Sequence, residues 1–408
     1  MIAVFGALQL FVAIIAKAQL AGCTDPLAVN YNQAATINDG SCMYPAAAVS
    51  PDASFILSSA VIETSGLIAF NNQLWTHNDN EDVFLHQLDT ANGNLLSSTA
   101  LPGTINIDWE EISQDADYVY IGDFGNNANG NRTNLKIYKI DKLSLFSGTP
   151  LIETIEFLYA NQFLFNPAGP NNTDFDCEAM IVSTDSIYLF TKQWITNETS
   201  VYSLPKTAGI HTAKLLASYN VEGLITGASY FETQNLVVLC GYSATLQPFL
   251  FLLYDFQGKD FFGGNKRKIS ISLPFHQVEG IAGVDGLKYY ISNEKFVQPP
   301  INIPQKLHIL DLGQYLEDYL STLYNTSSSQ PVSAYVIYPN PANEFIIIQA
   351  VEYSEPDSYI VTDFSDRIVL KGNLSSQNNL IDIRILKAGI YFVKIGENRK
   401  NMMQFIKN

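Results

Sequence analysis

Between residues 52 and 325 one pattern of short strands returns five times, and few folds can accommodate it. Each copy opens on an acidic or hydroxyl residue followed by small and apolar ones. The copies are Ser65-Gly66-Leu67-Ile68, Glu110-Glu111-Ile112-Ser113, Glu178-Ala179-Met180-Ile181, Thr226-Gly227-Ala228-Ser229 and Glu279-Gly280-Ile281-Ala282. A second strand follows each, as in Tyr118-Val119-Tyr120-Ile121-Gly122 and Ser186-Ile187-Tyr188-Leu189-Phe190. A third follows that, as in Leu135 to Ile140 and Phe249 to Tyr254. Fourth strands fit Ile152 to Tyr159, Lys214 to Tyr219 and Lys268 to Leu273. Units of four antiparallel strands repeated at this spacing predict an all-β protein, a β-propeller of five blades, with six blades or a pair of β-sandwiches as alternatives. The last copy lacks a fourth strand, and Ser54-Phe55-Ile56-Leu57 is the segment placed to supply it and close the ring. The propeller is read over residues 50–324, with a helix from Leu312 to Leu323 and a polar linker at 325–331.

The repeated position is chemically loaded. It holds Ser65, Glu110, Glu178, Thr226 and Glu279, and two residues earlier stand Glu63, Asp108, Asp176, Leu224 and Gln277. Residues two apart share one face of a strand. Six carboxylates (Glu63, Asp108, Glu110, Asp176, Glu178 and Glu279) are therefore expected to converge at one mouth of a central channel. Like charges that close raise one another's pKa or require a cation. All the candidate ligands are oxygens, which suits Ca²⁺, with Glu110, Glu178, Asp123 and Asn126 as its candidate ligands and Arg132 as a counter-charge. The alternatives are that these side chains bond the backbone of the next blade, or that a carboxylate pair performs hydrolysis. Trp75, Trp109 and Trp194 either stack on sugars or pack the blades. His77, His86, His211, His276 and His308 show no zinc-binding spacing.

With 40 acidic and 23 basic residues the net charge is −17, which argues against a nucleic-acid partner. Residues 1–18 read as a signal peptide: an apolar run from Ile2 to Ile15 precedes Ala16-Lys17-Ala18. No other apolar run is long enough for a spanning helix, so the mature chain is expected to carry no transmembrane segment.

Three segments resemble known families. Gly22-Cys23-Thr24-Asp25-Pro26, with Asn30-Tyr31-Asn32 and Asp39-Gly40-Ser41-Cys42, resembles a short Cys-bracketed module of secreted Bacteroidota proteins. At 19–45 the module is too small to bury a core, so a Cys23–Cys42 disulfide is expected, and Asp25, Asn30, Asn32 and Asp39 offer oxygens to Ca²⁺ or to turns. Cys177 and Cys240 lie in apolar strands and are expected as buried thiols. Asp108-Trp109-Glu110-Glu111-Ile112, followed by Gly122-Asp123-Phe124-Gly125-Asn126-Asn127 and Arg132, resembles a pattern in bacterial propellers of mostly unassigned function. Residues 332–408 resemble the subtype A C-terminal sorting domain of type IX secretion in Bacteroidota. The likeness rests on Pro339-Asn340-Pro341, on Gly389-Ile390-Tyr391 and on Lys407. It implies a small β-sandwich, recognition by the type IX machinery, and a secreted or cell-surface location. The expected role is a ligand-binding module for a glycan or peptide. A secreted phosphoester or glycoside hydrolase and a structural adhesin are the alternatives.

Overall fold

The computed structural model describes residues 19–79, 82–326, 335–350, 357–363, 367–374, 378–396 and 401–407. The signal peptide reading and most of the linker fall outside them. The chain divides into two compact units, Met1–Leu320 and Ser321–Asn408.

Five four-stranded antiparallel blades make up most of the first unit. The first contains Thr64–Phe70, Gln73–Asn78, Phe84–Asp89 and Leu95–Ala100 in that order. The second contains Trp109–Gln114, Tyr118–Asp123, Leu135–Asp141 and Ile152–Tyr159. Asp176–Val182, Ser186–Lys192, Thr199–Pro205 and Gly209–Tyr219 form the third, and Leu224–Phe231, Leu236–Tyr242, Pro248–Tyr254 and Asn265–Ile271 the fourth. In the fifth, Val278–Gly283, Lys288–Asn293 and Lys306–Asp311 are joined by Ala53–Ile56 from the start of the chain. Inner strands contact in ring order, and the fifth meets the first. The ring therefore has five blades and closes through the early strand.

The elements follow from local chemistry. Alternating apolar and polar residues expose two faces, and a ring of blades buries both. The cores accordingly lie between blades. Trp75 and Leu85 meet Trp109 and Ile121 between the first and second blades. Tyr120 and Phe157 meet Met180 and Leu189 between the second and third. Leu67 and Leu74 meet Ala282 and Leu307 across the closing seam. Each such side chain is worth roughly 1.5–3 kcal/mol of burial. Asn71 and Asn72 have φ of 54° and 59°, the left-handed pair that a two-residue hairpin requires.

Two features go beyond the strand reading. The outer strand of the first blade, Leu95–Ala100, is mostly exposed and carries too little apolar alternation to announce itself. The outer strand of the third blade starts at Gly209, and its first part pairs in parallel with Ile155–Tyr159 of the second. The helix Gly313–Thr326 overlaps the expected one, starting one residue later and ending three later; within the first unit, Tyr315 donates to the Ala48 carbonyl at 2.8 Å and Tyr319 to that of Gln234 at 2.6 Å.

The Cys23–Cys42 disulfide is present, and Cys177 and Cys240 are buried free thiols. In the disulfide module Asp25 Oδ1 accepts from the Leu27 N–H, and its Oδ2 accepts from Tyr44 at 2.7 Å and Tyr254 at 2.5 Å. Asn30, Asn32 and Asp39 bond nearby backbone groups. Their oxygens thus make turns and seat the module on the fourth blade, where Asn38 also donates to Asp255 and Asn265.

The second unit holds two antiparallel sheets. One runs Tyr335–Tyr338, Phe345–Ala350, Asn378–Asp382, and the other Ile368–Leu374, Asp357–Asp363, Gly389–Ile395, Asn401–Lys407. Ile346, Ile348, Val361, Val393 and Phe405 are among the residues of their common core. The sequence motif has a visible job here. Asn340 donates from Nδ2 to the Gln404 carbonyl at 3.1 Å and accepts the Ile406 N–H at 2.9 Å, so its amide acts as one more rung beside the last strand. Gly389 pairs with Lys407, and Tyr391 donates to the Lys387 carbonyl. After the strand Asp357–Asp363, Arg367 pairs with Asp363 at 2.9 Å.

Candidate functional site

The repeated position is a β-bulge in every blade. The register of inner against second strand slips at Ser65-Gly66, Glu110, Glu178, Thr226 and Glu279. A bulged residue leaves the ladder and is re-aimed. Ser65, Glu110, Glu178 and Glu279 line a cavity of about 210 Å³, while Thr226 turns to the next blade and donates to the Val278 carbonyl at 2.5 Å. Among the described residues the cavity wall carries Glu63, Asp79, Asp108, Glu110, Glu178, Glu279 and Glu294, against a single cation, Lys192.

Glu110, Asp176 and Glu178 present carboxylate oxygens all within 4.8 Å of one another. Lys192 Nζ lies 2.6 Å from Glu178 Oε2, and both side chains are almost completely buried. The same ammonium stands 4.8 Å over the Trp194 ring and 5.1 Å over that of Tyr242. Asp176 sits behind the wall, accepting the Asn126 N–H at 2.5 Å and the Trp194 Nε1–H at 2.8 Å. Burial, followed by the charges of Glu178 and Asp108, holds the Glu110 carboxyl well above its usual range. Burial and the neighbouring Asp176 push Asp108 to about 6, and burial pushes Glu279 to about 7. Burial also opposes the charge of Lys192, but Glu178, Tyr242, Glu279 and Asp176 outweigh it and keep the ammonium charged.

On the other side of the cavity Glu63, Asp79 and Glu294 form a second, half-buried group with oxygens within 4.8 Å of one another. Burial, then Glu279 and Glu63, raise Glu294 to about 9.

The Gly122–Arg132 loop has a positioning role. Arg132 pairs with Asp123 at 2.7 Å and donates to the Gly125 carbonyl at 2.7 Å. Asp123 Oδ1 also accepts the Asp108 N–H, while its Oδ2 makes no hydrogen bond. Asn126 donates to the Phe175 carbonyl and accepts the Arg132 N–H. Asp123, Asn126 and Arg132 therefore lie outside the cavity wall and brace it. A Cβ at Gly125 would overlap Glu110 Oε1 and Asp108 Oδ2, so a larger residue there would have to move both carboxylates. Of the three tryptophans, Trp75 and Trp109 are packed between blades and Trp194 reaches the cavity.

Four charged or aromatic wall residues escape a reading of the repeat: Asp79, Lys192, Tyr242 and Glu294. All stand at or just beyond the ends of second strands, opposite the start of the inner ones: Asn78 faces Thr64, Lys192 faces Asp176, Tyr242 faces Leu224 and Asn293 faces Val278. Counting from the repeat to those ends would have located them. Glu111 was also missed. Its fully buried carboxylate accepts the Ile112 N–H at 3.0 Å and, across the ring, the Ala228 N–H at 2.8 Å.

Ring and cavity define a five-bladed β-propeller with an acidic central site. The C-terminal segment adds a destination: residues 336–408 match the family described as secretion system C-terminal sorting domain. The protein is accordingly a type IX cargo, secreted or held at the cell surface. Among the described residues no helix is long and apolar enough to cross a membrane. A comparison with curated proteins finds no match. Among solved structures the chain is similar to PorZ, a surface component of the type IX secretion system of Porphyromonas gingivalis. That similarity is 13% identity over 85% of this chain and 45% of that chain, with a TM-score of 0.30. The chain thus spans less than half the length of that protein. It is also similar to the exo-β-1,3-galactanase of Phanerochaete chrysosporium, at 8% identity over 87% of this chain and 99% of that chain, TM-score 0.40. A third likeness is to the WD40 repeats of RRP9, at 8% identity over 65% of this chain and 100% of that chain, TM-score 0.35.

Proposed function

We propose that this protein is an exported surface-binding propeller whose acidic cavity receives one cationic or hydroxyl-rich group of a peptide or glycan ligand. The observation that carries this reading is the wall itself: seven carboxylates face a cavity that contains one ammonium. Such a surface draws positive charge and rejects anions. At about 210 Å³ the space suits a single side chain or sugar ring and not a length of polymer. Trp194 and Tyr242 add aromatic surface to the wall beside Lys192, and an indole edge suits contact with a sugar ring. Arrays of glycans and basic peptides probed with the full chain test this. Capture that falls at least tenfold in Glu178→Gln supports the reading, and capture unchanged by that substitution refutes it.

A second reading, a secreted glycoside hydrolase, is favoured by one pairing. Burial holds the Glu110 carboxyl well above its usual range, within 4.8 Å of the Glu178 oxygens, which face Lys192. A carboxyl with a raised pKa close to a second carboxylate is the equipment of glycoside hydrolysis. Turnover of a chromogenic glycoside, abolished in Glu110→Gln, would select this reading; no turnover across a substrate panel removes it.

A further inference from the structure

The two carboxylate groups of the cavity differ in how their charge is met. In the Glu110 group the cation is built in: Lys192 lies 2.6 Å from Glu178, and Asp176 spends both oxygens on Asn126 and Trp194. A metal ion there would have to displace a buried ammonium. The Glu63 group has the same oxygen spacing, all within 4.8 Å. That limit is about twice a Ca²⁺–oxygen bond of roughly 2.4 Å, so three such oxygens can surround one ion. A further group faces the same cavity. Glu279 is 8% exposed, and its Oε2 has no hydrogen-bond partner.

We propose that Glu63, Asp79 and Glu294, with Glu279 facing them, bind one divalent cation, Ca²⁺ by ligand chemistry, and that the ion clips the closing seam of the ring. Glu63 and Asp79 come from the first blade and Glu294 follows the second strand of the fifth. Their backbone is already fixed. The Asp79 N–H donates to the Glu63 carbonyl at 3.0 Å, and the Trp109 N–H donates to the Asp79 carbonyl at 2.8 Å. Lys295, next to Glu294, donates its N–H to the Ile62 carbonyl at 3.0 Å, tying the fifth blade to the first. A site whose supports are locked in this way loses little entropy on binding. Being half-buried, the group leaves room for water or a ligand hydroxyl to complete the six to eight oxygens that Ca²⁺ takes. The proposal rests on the surface-binding reading in one respect: the ion is the part of the wall that a hydroxylated ligand meets.

The test is calorimetric titration of the full chain, stripped with EDTA, with CaCl2 and separately with MgCl2, alongside its melting temperature. The expected result is one Ca²⁺ per chain, tighter than Mg²⁺, with a melting temperature that rises several degrees at saturation. Glu63→Gln and Glu294→Gln, each checked for a native circular dichroism spectrum, should weaken Ca²⁺ at least tenfold and remove the rise. No Ca²⁺ binding by the wild type overturns the proposal. So does binding that survives both substitutions, and so does binding lost in Glu110→Gln but kept in Glu294→Gln, which places the ion at the other group. Ligand capture that persists in EDTA removes the ion from recognition and leaves the surface-binding reading standing.

Discussion

Replacing Lys192 by Met removes the only cation that the described residues place in the cavity wall, while keeping most of the side-chain volume. The ammonium and the Glu178 carboxylate are 4% and 3% exposed and 2.6 Å apart, so neither has water to fall back on. Breaking such a pair from one side leaves an uncompensated buried charge and costs about 3–5 kcal/mol. Glu110 and Asp176 lie within 4.8 Å of Glu178, so the loss should sit at the upper end of that range. At roughly 2–4 °C per kcal/mol for a unit of this size, the melting temperature falls by about 6–20 °C. Urea unfolding followed by tryptophan fluorescence measures the free energy. The double variant Lys192→Met, Glu178→Gln removes the stranded charge, so it should recover at least about 1–2 kcal/mol of the single variant's loss. A single-variant loss below about 1 kcal/mol refutes the reasoning. So does a double variant whose loss equals the sum of the two single ones, because the residues would then not be coupled.

Three further outcomes follow from other parts of the molecule. Asp108 has its folded pKa raised from 3.8 to about 6, so its share of stability is complete below pH 3.8 and disappears as pH rises to 6. At about 1.36 kcal/mol per unit this is at most about 3 kcal/mol, less for a side chain still partly in contact with solvent, and Asp108→Asn should flatten the pH dependence of urea stability between pH 4 and 7. Glu111→Ala strips the acceptor from the Ile112 and Ala228 N–H groups in the ring centre. Each orphaned donor costs about 1–3 kcal/mol, so denaturant unfolding should show a loss of roughly 2–6 kcal/mol. Asn340→Ala deletes two exposed hydrogen bonds to the last strand. The expected cost is about 1–2 kcal/mol, read as faster amide exchange at Gln404 to Lys407, with less of the chain in surface and culture fractions.

Much of the ring was legible because each blade uses the same device. A bulge needs a residue that leaves the ladder, and its position stays in phase with the strands around it, so Ser65, Glu110, Glu178, Thr226 and Glu279 stand out as a repeat. The closing strand was legible by counting, since the fifth copy had three strands and Ala53–Ile56 could supply the fourth. The rim was not. Asp79, Lys192, Tyr242 and Glu294 occupy comparable places, yet one is acidic and short, one basic, one aromatic and one acidic and long. A repeat of position without a repeat of residue type leaves no trace until strand register is known. The parallel pairing of Gly209–Ala213 with Ile155–Tyr159 depends on a partner strand from the previous blade, and nothing local to either segment encodes it.

The same repeat also separates structural need from surplus. In the first blade the bulged Ser65 donates to the Glu110 carbonyl of the second at 2.6 Å, and in the fourth Thr226 donates to the Val278 carbonyl of the fifth at 2.5 Å. A hydroxyl therefore suffices to link neighbouring blades at this position. Blades two, three and five instead carry Glu110, Glu178 and Glu279, and for each of them burial works against the charged form. Were inter-blade bonding the whole purpose, a Ser or Thr at those three positions would fulfil it without a desolvation cost. On the proposed binding role, Glu110 and Glu279 are charges kept for a ligand where hydroxyls would hold the ring, and Glu110→Ser or Glu279→Ser should change what the protein binds more than whether it folds.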